Sequence, residues 1–334
     1  MKEMKIIEGA KNILSKGLQI EKNDKLIVLT HEKCIPSAEY LVRAAKLLSV
    51  SDVLMIQLPE ILRPVTKVPK TLSGAITEAD ALIYAIDRIP EEHQQERKIH
   101  QLCADNECKY CNMYDVVPRY LGEAINADYN IVTQKCEDIA HILKESIGGK
   151  IEVKTDLGTS LSFNIYDSIR ARGPIFGGSL HRQAPEGEVS TCPVENTFQG
   201  KLVVDGAITY MGVPETPITL MFNQGRVVDV AGDDRFLSNL LRILKLLDGR
   251  LESLLGISIA EFSVGANDWA ILDENVSNCE KVSGTIHFGI GKTTPGGIDR
   301  GEKFHFDSIV TKSTVHVTKK NGERVCLIDS GHLQ

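Results

Sequence analysis

The sequence has no run approaching the ~18 consecutive uncharged apolar residues of a membrane-spanning helix, which excludes a transmembrane helix. It has no dominant lysine and arginine block either. With a net charge of -7 there is no basic footprint for a phosphate backbone, so neither nucleic acid nor a membrane is expected as a partner. Residues 1–20, MKEMKIIEGAKNILSKGLQI, lack the continuous apolar stretch of an export signal because charges interrupt every turn; they read as an amphipathic surface helix. The eight cysteines have irregular spacing, and without an export signal they point to reduced thiols in the cytoplasm rather than a disulfide framework. Internal repeats and low-complexity tracts are absent. No GlyXGlyXXGly turn follows the first apolar run, so an α/β reading brings no dinucleotide site with it. The phosphate-loop look of residues 289–294, GIGKTT, fails because the required earlier glycine falls at Ile286.

What is present fits a globular chain of two domains: 334 residues, 42% hydrophobic and 25% charged. The run KLIVL at 25–29, a helical pattern through Leu41, Ala44, Ala45 and Leu48, and the run from Val53 to Ile56 form a strand, helix, strand unit. Ala81 to Ile86 predicts a further buried strand. Residues 1–148 therefore read as an N-terminal α/β sheet domain, with a parallel sheet, ending after a helix over roughly 137–146 at Gly148 and Gly149. From 149 to 334 the pattern becomes a β-rich α+β domain. Segments 151–165, 201–206, 218–222 and 225–232 alternate like strands, one helix spans about 235–247, and AsnGly at 321–322 turns a last hairpin within 308–327.

The chemistry lies in this second domain. Two residues apart on a strand, His305 and Asp307 share a face, which suits a metal ion or a shared proton. His287 stands in the apolar stretch GTIHFGIG, where a satisfied core histidine is the plain alternative. Glu280 is seven residues before it, and Glu261 is one carboxylate in the apolar stretch IAEFSVG, where unpaired burial is costly. Residues 184–193, APEGEVSTCP, add Glu186 and Glu188 on a loop entering a strand, followed by Glu195. Each signal has a bland reading by itself: an outward strand, a core histidine or a solvated loop. Glu188, Glu261, Glu280 and Asp307 with His287 and His305 together supply four carboxylates and two histidines on one domain's β elements, a donor set for two cations.

In order and wording these segments resemble the thermophilic-type metalloaminopeptidases, the AmpS and PepS family of leucyl aminopeptidases. Residues 154–163, KTDLGTSLSF, resemble the family's GTDL hairpin, and 185–195, PEGEVSTCPVE, its EVFTAP segment, whose bridging ligand falls on Glu188. Residues 260–267, AEFSVGAN, resemble its ExGIGTN strand and place Glu261. Residues 280–291, EKVSGTIHFGIG, resemble EKVLGTIHIALG and place Glu280 and His287; HFD at 305–307 resembles the closing HxD pair. The match spans about 150–330. It implies a cytoplasmic homodimer that cleaves N-terminal residues from small peptides with two divalent cations, Zn, Co or Mn. The metal ligands would be Glu188, Glu261, Glu280, His287, His305 and Asp307, with Glu188 bridging and Glu280 a ligand or the general base. Glu274, in DEN, is a second candidate for the Glu280 role. A catalytic tyrosine seven residues after the ligand histidine is replaced by Thr294, and the last tyrosine in the chain is Tyr210.

Two alternatives stand beside this one. His287, His305 and Asp307 form the ligand types of a mononuclear iron(II) centre, as in ring-cleaving dioxygenases of the dihydroxypyridine type, which resemble the same family. The replaced tyrosine also suits a catalytically degenerate, ligand-binding homologue. Apart from these, His100, Cys103, Cys108 and Cys111 offer four soft ligands within a short segment, the types a structural zinc requires.

Overall fold

The computed structural model of the chain describes residues 2–173 and 180–334. It divides into two compact units, one formed by residues 1–129 and 174–186, the other by 130–173 and 187–334. The first is a five-stranded parallel sheet, in the order Asp52–Leu58, Lys25–His31, Ala81–Ala85, Lys109–Asn112 and His181–Gln183. The expected strands at 25–29, 53–56 and 81–86 are the first three of these. Ala81–Ala85, at the centre of the sheet, is buried along its whole length, as an all-apolar run requires. The N-terminal segment is helical, Lys2–Asn12 continuing into a π-helical turn at Ile13–Gly17. It lies close against the segment at Leu121, where a Cβ on Gly9 would stand 1.7 Å from the Leu121 carbonyl oxygen.

The division between units lies earlier than the Gly148–Gly149 turn. Helix Tyr129–Glu145 stays with the second unit because its residues are tied there: the Cys136 thiol donates to the Glu188 carbonyl (3.7 Å), and Glu145 pairs with Lys319 at 2.9 Å. A second feature that the sequence pattern does not announce is the return of residues 181–183 to the first sheet, as its last strand.

The second unit is a sandwich of an eight-stranded and a five-stranded antiparallel sheet. The larger sheet includes the Lys150–Lys154 and Ser160–Phe163 hairpin and the closing pair Thr314–Thr318 and Arg324–Asp329. The smaller has the order His305–Val310, Ile286–Gly291, Ile259–Gly265, Glu188–Thr191, Arg170–Arg172. Phe163 and Phe222 of the larger sheet pack with Phe198 against Phe262 and Phe288 of the smaller, with neighbouring ring centroids 5.0–5.7 Å apart. These rings form the aromatic centre of the core. Helix Asp234–Leu247 begins at an Asp233 carboxylate that accepts from the Phe236 N–H, a side-chain cap that meets one of the orphan donors of its first turn.

Candidate metal centre

Strand alternation turns Phe262, Phe288 and their neighbours toward the aromatic core and leaves the opposite face of the five-stranded sheet to the polar residues. The cross-strand register assembles them. Asp307 is opposite Gly289, Gly289 opposite Glu261, His287 opposite Ser263, Gly265 opposite Glu188, and Glu188 opposite Arg172. Glu261, His287, His305, Asp307, Glu188, Arg170 and Arg172 thus share one face, although their positions span more than a hundred residues of sequence.

Glycines open this face. A Cβ on Gly289 would stand 2.4 Å from the His305 ring and 2.8 Å from the Glu261 Cβ. Without a side chain there, the imidazole crosses the strand, where Nε2 lies 3.1 Å from Asp307 Oδ1 and Nδ1 is 2.7 Å from the Lys292 carbonyl. Gly265 likewise leaves room for the backbone at Val282, whose carbonyl would be 2.2 Å from an added Cβ. That segment delivers Glu280 and Lys281 beside Glu188.

Glu188, Glu280 and His287 are all buried, and a ligand atom from each lies within 4.8 Å of the other two. They form a group that could hold a metal ion, and it is the one such group among the described residues. His287 turns Nε2 toward Glu188 Oε2 at 3.7 Å, and its Nδ1 is buried without a hydrogen-bond partner, which in a dry interior is costly. Glu261, His305 and Asp307 lie alongside, with His305 Nε2 3.8 Å from Glu261 Oε2. Glu274 is exposed and outside the group, whereas Glu280 lies within it. Glu186 falls in the first unit, and Glu195 accepts from the Tyr166 hydroxyl at 2.9 Å. Thr294 has its Oγ1 3.2 Å from the Cys192 thiol.

Three cations that the sequence did not single out belong to the same face. Lys281 has no exposed surface; its Nζ lies 2.9 Å from Glu188 Oε2 and 2.7 Å from Glu280 Oε1. Arg172 Nη1 is 3.3 Å from Glu188 Oε1, and Arg170 Nη2 3.7 Å from Glu261 Oε2. Burial alone would raise the Glu188 carboxyl, but Lys281 and Arg172 outweigh it and hold the group well below the usual carboxylate range. At Glu280 burial wins over Lys281, reinforced by the charges of Glu188 and Asp307, and its carboxyl is pushed up. Burial would lower His305, yet the adjacent Asp307, with help from Glu261, pushes it up to about 10. The sequence signal for the arginines was the alternation in RAR at 170–172; for Lys281 it was the GluLys dipeptide, which also reads as ordinary surface charge.

The cysteine segment does not gather. Cys103, Cys108 and Tyr110 pack into the apolar core of the first unit. Cys111, next along the strand Lys109–Asn112, turns to the opposite face toward Arg182 and Glu186, while His100 packs against Tyr110 and His181. The zinc site considered for His100, Cys103, Cys108 and Cys111 is therefore absent among the described residues: alternation along one short strand splits the ligands.

No family model matches the chain, and no curated protein sequence matches it. Two solved structures do match along the whole length. AmpT from Thermus thermophilus superimposes with a TM-score of 0.71 at 16% identity, covering 100% of both chains. The 2,5-dihydroxypyridine dioxygenase from Pseudomonas putida KT2440 gives 0.65 at 16% identity, covering 100% of this chain and 98% of its own. The chain shares its fold with both. It is thus a mixed α/β protein of aminopeptidase-like fold, and its fold neighbours are enzymes. No helix among the described residues is long and apolar enough to cross a membrane.

Proposed function

We propose that the protein is a metal-dependent aminopeptidase that removes N-terminal residues, leucyl-type, from small peptides. The observation that carries this reading is the buried Glu188, Glu280 and His287 group, set on the same sheet face as Glu261, His305 and Asp307. Carboxylate-rich donor sets with imidazole suit Zn, Mn or Co. Glu188, Glu261, Glu280, His287, His305 and Asp307 are the residues that would hold the metal, which when bound supplies Lewis acidity and a water that loses its proton near neutral pH. Glu280 is the carboxyl we assign to proton transfer, since it stands within the group and is fixed by Lys281. One fold neighbour, AmpT, is an aminopeptidase, and the GTIH and HFD segments resemble that family.

The ring-cleaving dioxygenase is the second reading, favoured by the other fold neighbour. It would use His287, His305 and Asp307, without need of Glu188 or Glu280. Release of p-nitroaniline from L-leucyl-p-nitroanilide by protein supplied with Zn, Co or Mn, abolished by chelator and by Glu188→Ala, is the expected result. Absence of release, with oxygen uptake on 2,5-dihydroxypyridine in the presence of iron(II), would transfer the assignment to the dioxygenase. An inert protein that still binds the ion would be a degenerate homologue.

A further inference from the structure

We propose that Lys281 is the resident cation of the Glu188 and Glu280 pair, and that the site in consequence takes one divalent ion rather than two. This rests on the metal-dependent reading above and changes its stoichiometry. A carboxylate that bridges two metal ions offers one oxygen to each. In Glu188 both are already engaged by the chain's own cations: Oε2 faces Lys281 Nζ at 2.9 Å, and Oε1 faces Arg172 Nη1 at 3.3 Å. The same ammonium is 2.7 Å from Glu280 Oε1, so it stands between two of the three residues that approach metal-binding geometry.

Lys281 is poorly placed to leave. Its side chain is wholly buried, and its backbone is clamped on both sides, the N–H donating to the Asn278 carbonyl at 3.2 Å and the carbonyl accepting from the Asn267 N–H at 2.8 Å. An ammonium withdrawn from both carboxylates while still buried loses the pairing that offsets its desolvation. Displacing it with a second metal ion would exchange one buried cation for another and strand the first.

Charge balance points the same way. Glu188, Glu261, Glu280 and Asp307 bring four negative charges to the face, and Arg170, Arg172 and Lys281 bring three positive ones, a net of one negative once His305 is neutral, as a metal ligand must be. A single divalent ion takes that net to plus one. Two would take it to plus three within a buried cluster, where like charges repel strongly. Lys281 then performs permanently, and without exchange, the charge neutralisation that a second ion would perform.

The test is a count of ions. Protein stripped with chelator and dialysed against excess Mn2+ or Zn2+, then measured by plasma mass spectrometry and by calorimetric titration, should contain one ion per chain. Two ions per wild-type chain would overturn the proposal, and so would none. Lys281→Met, which removes the ammonium at similar volume, should raise the count to two; a folded Lys281→Met protein that still takes one would also overturn it. Should that variant fail to fold, the wild-type count decides alone, with Lys281→Arg, which keeps the charge, expected to stay at one. The two proposals fail separately. Two ions with leucyl-amide hydrolysis would remove the role of Lys281 and leave the aminopeptidase; one ion, rising to two in Lys281→Met, without hydrolysis would do the reverse.

Discussion

Gly289→Ala tests how the polar face is built. The added Cβ would meet the His305 ring at 2.4 Å and the Glu261 Cβ at 2.8 Å, distances at which something must move. The strand Ile286–Gly291 is paired on both sides, so the movable partner is the imidazole. Swinging it out gives up the hydrogen bonds to Asp307 and Lys292, and overpacking of this kind costs about 1–3 kcal/mol. Replacing glycine also reduces the freedom of the unfolded chain, which offsets roughly 0.4–1 kcal/mol. A net loss of about 1 kcal/mol should lower the melting midpoint by roughly 2–4 °C in a unit of this size. Because His305 is a proposed ligand, Mn2+ or Zn2+ affinity should fall at least ~10-fold. Circular-dichroism melting and calorimetric titration read the two effects. Gly74→Ala is the control: its Cβ would meet nothing within 4 Å, and in helix Lys70–Thr77 the change should stabilise by about 0.5–1 kcal/mol. A Gly289→Ala protein that melts with the wild type and binds the ion equally well would refute this account of the face.

Two further expectations concern the first unit. Arg63, with 5% of its side chain exposed, pairs with Asp87 at 2.9 Å and Glu92 at 2.7 Å; Arg63→Met leaves two buried carboxylates and should cost about 3–5 kcal/mol in urea unfolding, partly recovered in Arg63→Met with Glu92→Gln. Full stability of the single variant would contradict a structural role for this network. Burial would raise the Asp87 carboxyl, but Arg63 and His31 outweigh it and lower it below its ordinary 3.8, so the stabilisation is fully present above that value and is lost as the pH falls through the lowered one. Urea midpoints should therefore lose this contribution only below about pH 4, and Asp87→Asn should flatten that part of the acid limb; an unchanged acid limb would count against it.

The ligand-type residues were legible because each is an anomaly in its own segment: a histidine or carboxylate within an apolar run, or HisPheAsp at the spacing that puts both polar groups on one strand face. Their joint placement follows from the same period of two. The cations escaped notice because their burial is set at long range. Arg172 meets Glu188 through pairing of Arg170–Arg172 with Glu188–Thr191, and Lys281 is enclosed only when residues 265–267 fold against it. In a linear reading an arginine alternation or a GluLys pair is surface decoration. The cysteine segment misled for the converse reason, since proximity in sequence was undone by a strand that sends neighbours to opposite faces.

The excursion of the chain into the first sheet has a consequence for how the molecule is made. Strand Lys109–Asn112 does not receive its outer partner until His181–Gln183 has been synthesised, by which time the hairpin of Lys150–Lys154 and Ser160–Phe163, which belongs to the other unit, has already emerged. Neither unit is thus a contiguous length of chain. A cut at residue 129 or at 148 deprives the parallel sheet of its edge strand, and the order of emergence from the ribosome interleaves the two units instead of finishing one before the other begins.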